Sequence, residues 1–201
     1  MKENNPSARF IDCHYNDLFY LPAGEKLYIS FLDGREIPVS VVALDEYHVR
    51  VGGFTYHICE FAEYCRNIGA VIRPEHPQQG DVFDYYEIYQ IGRETDAQYL
   101  FCDYQYAKPY VKTTDYHRVY AGMLAKETDL EKLYIMHNRD DRPFVHRMRS
   151  LSMSDIVVTY RDDESKAYYV DRVGFREVHD LAENLKKQRN AKTRKFVREE
   201  R

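Results

Sequence analysis

Residues 151–178, LSMSDIVVTYRDDESKAYYVDRVGFREV, constrain the fold more than any other stretch of this chain. Two runs rich in β-branched and aromatic residues, Ile156-Val157-Val158-Thr159-Tyr160 and Lys166-Ala167-Tyr168-Tyr169-Val170, flank the polar segment Arg161 to Ser165. Such runs suit a pleated, half-buried surface, and the short polar join predicts a β-hairpin. Strand alternation sends Tyr168 and Tyr169 to opposite faces, so one belongs to the core and the other is open for recognition. A Gly174-Phe175 step follows, and then a helix from about Val178 that buries Val178, Leu181, Ala182 and Leu185. A lone hairpin is marginal in water, so further strands or a helix must cover this one.

The rest of the chain supplies them in two patterned regions. Residues 1–9 are polar and read as disordered. From about Glu25 the pattern has period two: Leu27, Ile29 and Phe31, then the turn Asp33-Gly34, then Ile37, Val39 and Val41. Tyr47–Val51 and Phe54–Ile58 form two more strands around Gly52-Gly53. Ile58, Phe61, Ala62, Cys65 and Ile68 then fall on one helical face, and Gly69 is placed to end that helix. This β-rich unit spans about 10–74, and PEHPQQGD (74–81) lies within a linker reaching to 83. Beyond it, Tyr85–Tyr89 and Tyr116–Ala121 read as strands, 96–112 as helix or loop, and Asp129–His137 as a helix carrying Leu130, Leu133, Tyr134 and His137 on one face. Thr128 with Glu131 fits a capping box at its start. The fold class is α+β in two small lobes, an N-terminal β-rich unit with one helix and a C-terminal β-sheet with helices.

The hairpin residues carry a resemblance. Leu151, Ser152, Ser154, Asp155, Tyr168, Tyr169, Val170, Asp171, Gly174 and Phe175 match the pattern of the YodL-like domain family, and the likeness covers about 84–185. The stretches 44–53 and 56–74 resemble an accessory domain of large polyvalent proteins. Together these resemblances imply the accessory cargo of conjugative elements and phages in Gram-positive bacteria. They imply no chemistry.

Composition narrows the class. With 44% hydrophobic and 31% charged residues the chain has enough apolar surface for a core. No run of about 18 apolar residues is present, and the N-terminus lacks an apolar signal core, so the expectation is a cytoplasmic protein without a membrane partner. The net charge of −4 conceals an asymmetry. Residues 186–201 carry eight Lys/Arg against two Glu, which leaves 21 basic against 31 acidic groups in 1–185.

Several candidate chemistries fail on spacing. Cys13, Cys59, Cys65 and Cys102 are irregularly placed and read as buried free thiols. His57, Cys59 and Cys65 do not form the paired ligands zinc takes, so no metal and no cofactor are expected. The His-x-Glu and Cys-x-x-Cys signature of zinc deaminases is missing, as are a phosphate-cradling glycine loop and a nucleophile elbow. Asp155, Glu164 and Lys166 have the residue types of a metal-dependent nuclease, but the last two fall at the hairpin turn. Ser152 and Ser154 read as backbone-bonding hydroxyls and Asp171 as a turn or capping acid. His137, Arg139, Asp140, Asp141, Arg142 and His146 form a polar connection with the residue types for general acid–base work on a phosphodiester or for phosphate binding, set against solvated local ion pairs. The basic tail, Lys186, Lys187, Arg189, Lys192, Arg194, Lys195, Arg198 and Arg201, is placed to contact nucleic acid or an acidic partner.

The resulting expectation is a non-catalytic binding protein that inhibits a host-defence nuclease of the Cas9 or restriction type. The alternatives are a weak nucleic-acid-processing enzyme and an adaptor for element-encoded proteins.

Overall fold

The computed structural model describes residues 7–11, 15–78, 84–124, 126–143, 148–161 and 164–188. The chain divides into two compact units, Met1–Tyr85 with Gly122–Glu127 and Tyr86–Ala121 with Thr128–Arg201. The fold is α+β, as the patterning predicts. Among the described residues no helix is long and apolar enough to cross a membrane.

The first unit begins with an antiparallel pair, β1 (Ala8–Ile11) and β2 (Asp17–Leu21), whose register breaks between Phe10 and Ile11. This corrects the expectation that 1–9 is disordered, since Ala8 and Arg9 belong to β1 and Ala8 is buried. The bulge turns both Phe10 and Ile11 inward, which erases the period-two signal. Next come β3 (Lys26–Ser30), β4 (Glu36–Ala43), β5 (His48–Val51), β6 (Phe54–His57), helix α1 (Glu60–Asn67) and β7 (Val71–Pro74). These strands form one sheet in the order β6-β5-β4-β3-β7. Gly52 and Gly53 both take positive φ, +55° and +94°, which a two-residue hairpin turn with the native twist requires. Gly69, at φ +66°, closes α1 as expected, with the Ala70 amide returning to the Cys65 carbonyl at 2.8 Å. Phe10, Phe19 and Phe61 meet at the centre, with ring centroids 4.9 and 5.9 Å apart.

The second unit is a sheet in the order β12-β11-β10-β8-β9. Its elements are β8 (Tyr85–Ile91), the short helix α2 (Tyr104–Ala107), β9 (Tyr116–Met123), α3 (Leu130–Met136), β10 (Ile156–Arg161), β11 (Glu164–Val170), β12 (Phe175–Glu177) and α4 (181–188). The β10–β11 hairpin is antiparallel, pairing Ile156 with Tyr169 and Arg161 with Glu164. The strands therefore reach further than the apolar runs, up to Arg161 and back from Glu164, and 162–163 lie outside the described residues. Polar side chains at a hairpin tip stay in water without leaving the ladder.

Two further expectations are corrected. Phe175 leads first into β12, paired with β11, and the helix starts only at 181. Val178 packs against the core from the connection, while Leu181, Ala182 and Leu185 are buried from α4. The cap of α3 is Asp129, whose side chain accepts from the Lys132 amide, not Thr128.

Candidate functional site

The hallmark residues form two layers at one end of the second unit's sheet. The inner layer is polar and closed to water. Asp155 is fully buried, and its Oδ2 accepts from the Gln90 amide group at 2.9 Å, the Ser152 N–H at 2.9 Å and the Arg149 guanidinium at 2.6 Å. Arg149 also lies 2.5 Å from Oδ1. Burial pushes the Asp155 carboxyl above its ordinary value, while Arg149, Ser152 and Gln90 pull it down. Ser154, equally buried, accepts the Phe101 N–H on Oγ at 3.1 Å, and its own carbonyl takes the Tyr116 hydroxyl at 2.9 Å. Both hallmark serines bond backbone, as expected, for the Ser152 hydroxyl donates to the Ser150 carbonyl.

Asp171 also acts as a capping acid. Its Oδ1 accepts from the N–H groups of Tyr104, the first residue of α2, and Arg172, at 3.0 and 2.8 Å, and Oδ2 pairs with Arg176. Burial alone would raise its carboxyl, but these donors hold it below the usual carboxylate range. Tyr169 is the core member of the tyrosine pair, its hydroxyl donating to the Cys102 carbonyl at 2.8 Å, and Tyr168 is half-buried.

The outer layer is an open groove of about 460 Å³. Leu151, Met153 and Val170 supply apolar lining, and Phe101, Tyr134 and Phe175 supply rings. Glu131, Asn138, Ser152, Asp171 and Arg172 add polar groups. Tyr134 and Phe175 meet edge to face at 6.3 Å. Asn138 is anchored by bonds from its amide to the carbonyls of Tyr134 and Leu151. The volume falls within the range of clefts that take small ligands or side chains, roughly 300–1,000 Å³. The hairpin residues announced this end of the sheet, but nothing near Phe101 in the sequence marked it as a groove residue.

The other sequence candidates do not converge. Glu164 lies opposite Arg161, six positions along the hairpin from Asp155, or roughly 20 Å at strand rise, and Lys166 pairs with Glu164 itself. The polar connection does not assemble either. His137 is fully buried, which corrects its reading as part of an exposed loop, and its Nε2 lies 2.8 Å from the Tyr86 hydroxyl. Arg139 pairs with Asp141 on the surface, Arg142 reaches the Arg139 carbonyl, and His146 lies outside the described residues. Of the basic tail, Lys186 and Lys187 sit on the last described turn of α4; Arg189, Lys192, Arg194, Lys195, Arg198 and Arg201 lie outside it.

Cys59, Cys65 and Cys102 are free thiols, and Cys13 lies outside the described residues. Cys65 is buried, its thiol pushed up to about 12 by desolvation, whereas Cys59 and Cys102 are only half-buried, against expectation. Among the described residues no group of three or more His, Cys, Asp or Glu is placed to hold a metal ion.

Residues 85–181 match the YodL-like domain, within the 84–185 stretch that carries the resemblance in sequence. No curated protein and no solved structure matches the chain.

Proposed function

We propose that this chain, whose second unit contains a YodL-like domain, works by binding a protein partner without catalysis, and that the partner is a nuclease of host defence. The observation that carries the binding reading is the commitment of the hallmark's reactive groups. Asp155, Ser154 and Asp171 each hold backbone or side-chain donors within the fold, and the groove that Asp171 helps to line is walled largely by rings and aliphatic side chains. Groups bound in this way position a surface; general acid–base work needs a proton within reach of substrate.

The choice of partner rests on charge and setting. Residues 1–185 carry 31 acidic against 21 basic groups, a balance suited to a basic nucleic-acid groove. The mobile-element context implied by the resemblances supplies the reason to occupy one. Residues 186–201 add a cationic segment for an acidic partner face or for nucleic acid held by the partner.

The test is a titration of the purified chain into a Cas9-type effector and into a restriction nuclease, read by cleavage of a DNA substrate and by size-exclusion chromatography. Loss of cleavage at a one-to-one ratio, with a stable complex, is the expected result. Turnover of nucleic acid by the chain alone with added magnesium would replace this reading with the enzyme. No complex with either nuclease, together with capture of an element-encoded protein, would replace it with the adaptor.

A further inference from the structure

We propose that the groove beside Phe101 binds an extended protein segment, seating one large apolar side chain on the open face of the Phe101 ring and a neighbouring carboxylate on Arg172. The inference deepens the binding reading above and rests on it. Phe101 is 51% exposed, yet its backbone is left-handed at φ +62°. That conformation costs a residue with a side chain roughly 1–2 kcal/mol. Phe101 is the third residue of a turn closed by the Cys102 N–H on the Tyr99 carbonyl, and the Ser154 hydroxyl, from a residue itself left-handed at φ +72°, accepts its N–H and holds it there. Two strained non-glycine residues thus meet in one hydrogen bond, and what they hold out to solvent is a phenyl ring.

The ring is oriented as well as exposed. The Arg149 guanidinium lies 5.2 Å from its centroid and is fixed from behind by buried Asp155. A cation already on one face disfavours a second on the other, so the open face favours an apolar or aromatic side chain. A ring held in place beforehand loses little entropy on contact, which favours binding. Tyr134, Phe175, Leu151 and Val170 complete an apolar seat.

Charge selects what lies beside that side chain. Among the charged groups of the groove, Asp171 is occupied by Tyr104, Arg172 N–H and Arg176, and Glu131 lies in the first turn of α3, where the helix dipole favours a carboxylate. The Arg172 guanidinium is exposed and makes no ion pair among the described residues, and its fork geometry matches a carboxylate. A nucleic-acid strand offers the ring a stacking base, but it carries a phosphate at every nucleotide past Glu131 and Asp171, whereas a peptide needs only one carboxylate and can place it on Arg172.

The full chain, immobilised, is panned against a phage-displayed random heptapeptide library, and the enriched sequences are synthesised. The expected consensus pairs one Phe, Tyr, Trp, Leu or Met with an adjacent Asp or Glu. Phe101→Asn removes the ring but suits the left-handed backbone, and it weakens the consensus peptide about tenfold or more, the scale of an aromatic hot spot. Arg172→Glu reverses the preference to a basic neighbour. No enriched sequence, or a consensus that binds both variants as wild type does, overturns the proposal. So does a fluorescein-labelled single-stranded oligonucleotide whose binding Phe101→Asn abolishes, which would reassign the groove to nucleic acid. The nuclease titration separates the two readings: unchanged inhibition by Phe101→Asn sinks the groove and leaves the function, whereas peptide binding without nuclease binding does the reverse.

Discussion

The two units solve the problem of a small core in opposite ways. The centre of the first is phenylalanine and aliphatic, and its charges meet at the surface, as in the Glu36–Arg73 pair across β4 and β7, where Arg73 also covers the Tyr28 ring. The second fully buries Tyr86, Tyr99, Tyr116, Tyr120 and Tyr169, and Glu87, Gln90, His137, Ser154 and Asp155, all the buried polar side chains among the described residues, belong to it. Glu87 alone accepts from Arg118, Tyr89 and Tyr160 at 2.6 to 2.9 Å. An apolar core tolerates repacking, whereas a buried polar network is favourable only when every member finds its partner. The second unit is therefore the more exacting structure, and the part of that network nearest the groove fixes Phe101 and Arg149 in place.

The contrast predicts unequal sensitivity. Asp155→Ala leaves Arg149, the Ser152 N–H and the Gln90 amide without their acceptor inside the fold, and a loss of about 3–5 kcal/mol is expected in chemical denaturation. A variant within error of wild type would show that the network contributes nothing to stability.

Asp171→Asn should cost roughly 1–2 kcal/mol at neutral pH, since the amide oxygen can still accept from the Tyr104 and Arg172 N–H groups but without the charge that strengthens both bonds and holds Arg176. The sign of its pH dependence follows from the depressed carboxyl. Its contribution is complete above the ordinary aspartate range, about 3.9, and is lost as pH falls through the lower folded value. Wild type and Asn variant should converge in acid; a gap that widens there would contradict the assignment.

A comparable effect is expected at Gly174→Val. A Cβ there meets nothing within 4 Å, so the cost is conformational alone, from φ +69°, and amounts to roughly 1–2 kcal/mol. Glu36→Gln, in the first unit, should change stability by less than about 1 kcal/mol, because the pair it breaks is exposed to water and salt. A loss at Glu36 as large as that at Asp155 would erase the distinction between the units.

What the sequence disclosed follows the same divide. Alternation and glycine turns located β3 to β6, and a helical face located α1, because an apolar core imposes a simple period. The β10–β11 pairing was legible for that reason too. β1 was hidden by its bulge, and β12, at three residues, is too short to carry a period. His137 continues the apolar face of Leu130, Leu133 and Tyr134, and that position, rather than its polar neighbours in the chain, sends it inside. Phe101 carried no local signal at all. Its backbone belongs to the Tyr99–Cys102 turn and is held by the hydroxyl of Ser154, 53 positions away, which only the folded sheet brings to it.

Hydrogen exchange at the Phe101 amide tests most directly whether the buried hallmark holds the groove residue. With its N–H bonded to a buried hydroxyl, that amide should exchange slowly although the ring beside it is half exposed. In Ser154→Ala its protection should collapse while the Val157 and Val158 amides of β10 stay protected. Rapid exchange at Phe101 in the wild type, or protection that survives the loss of the Ser154 hydroxyl, would contradict the claim.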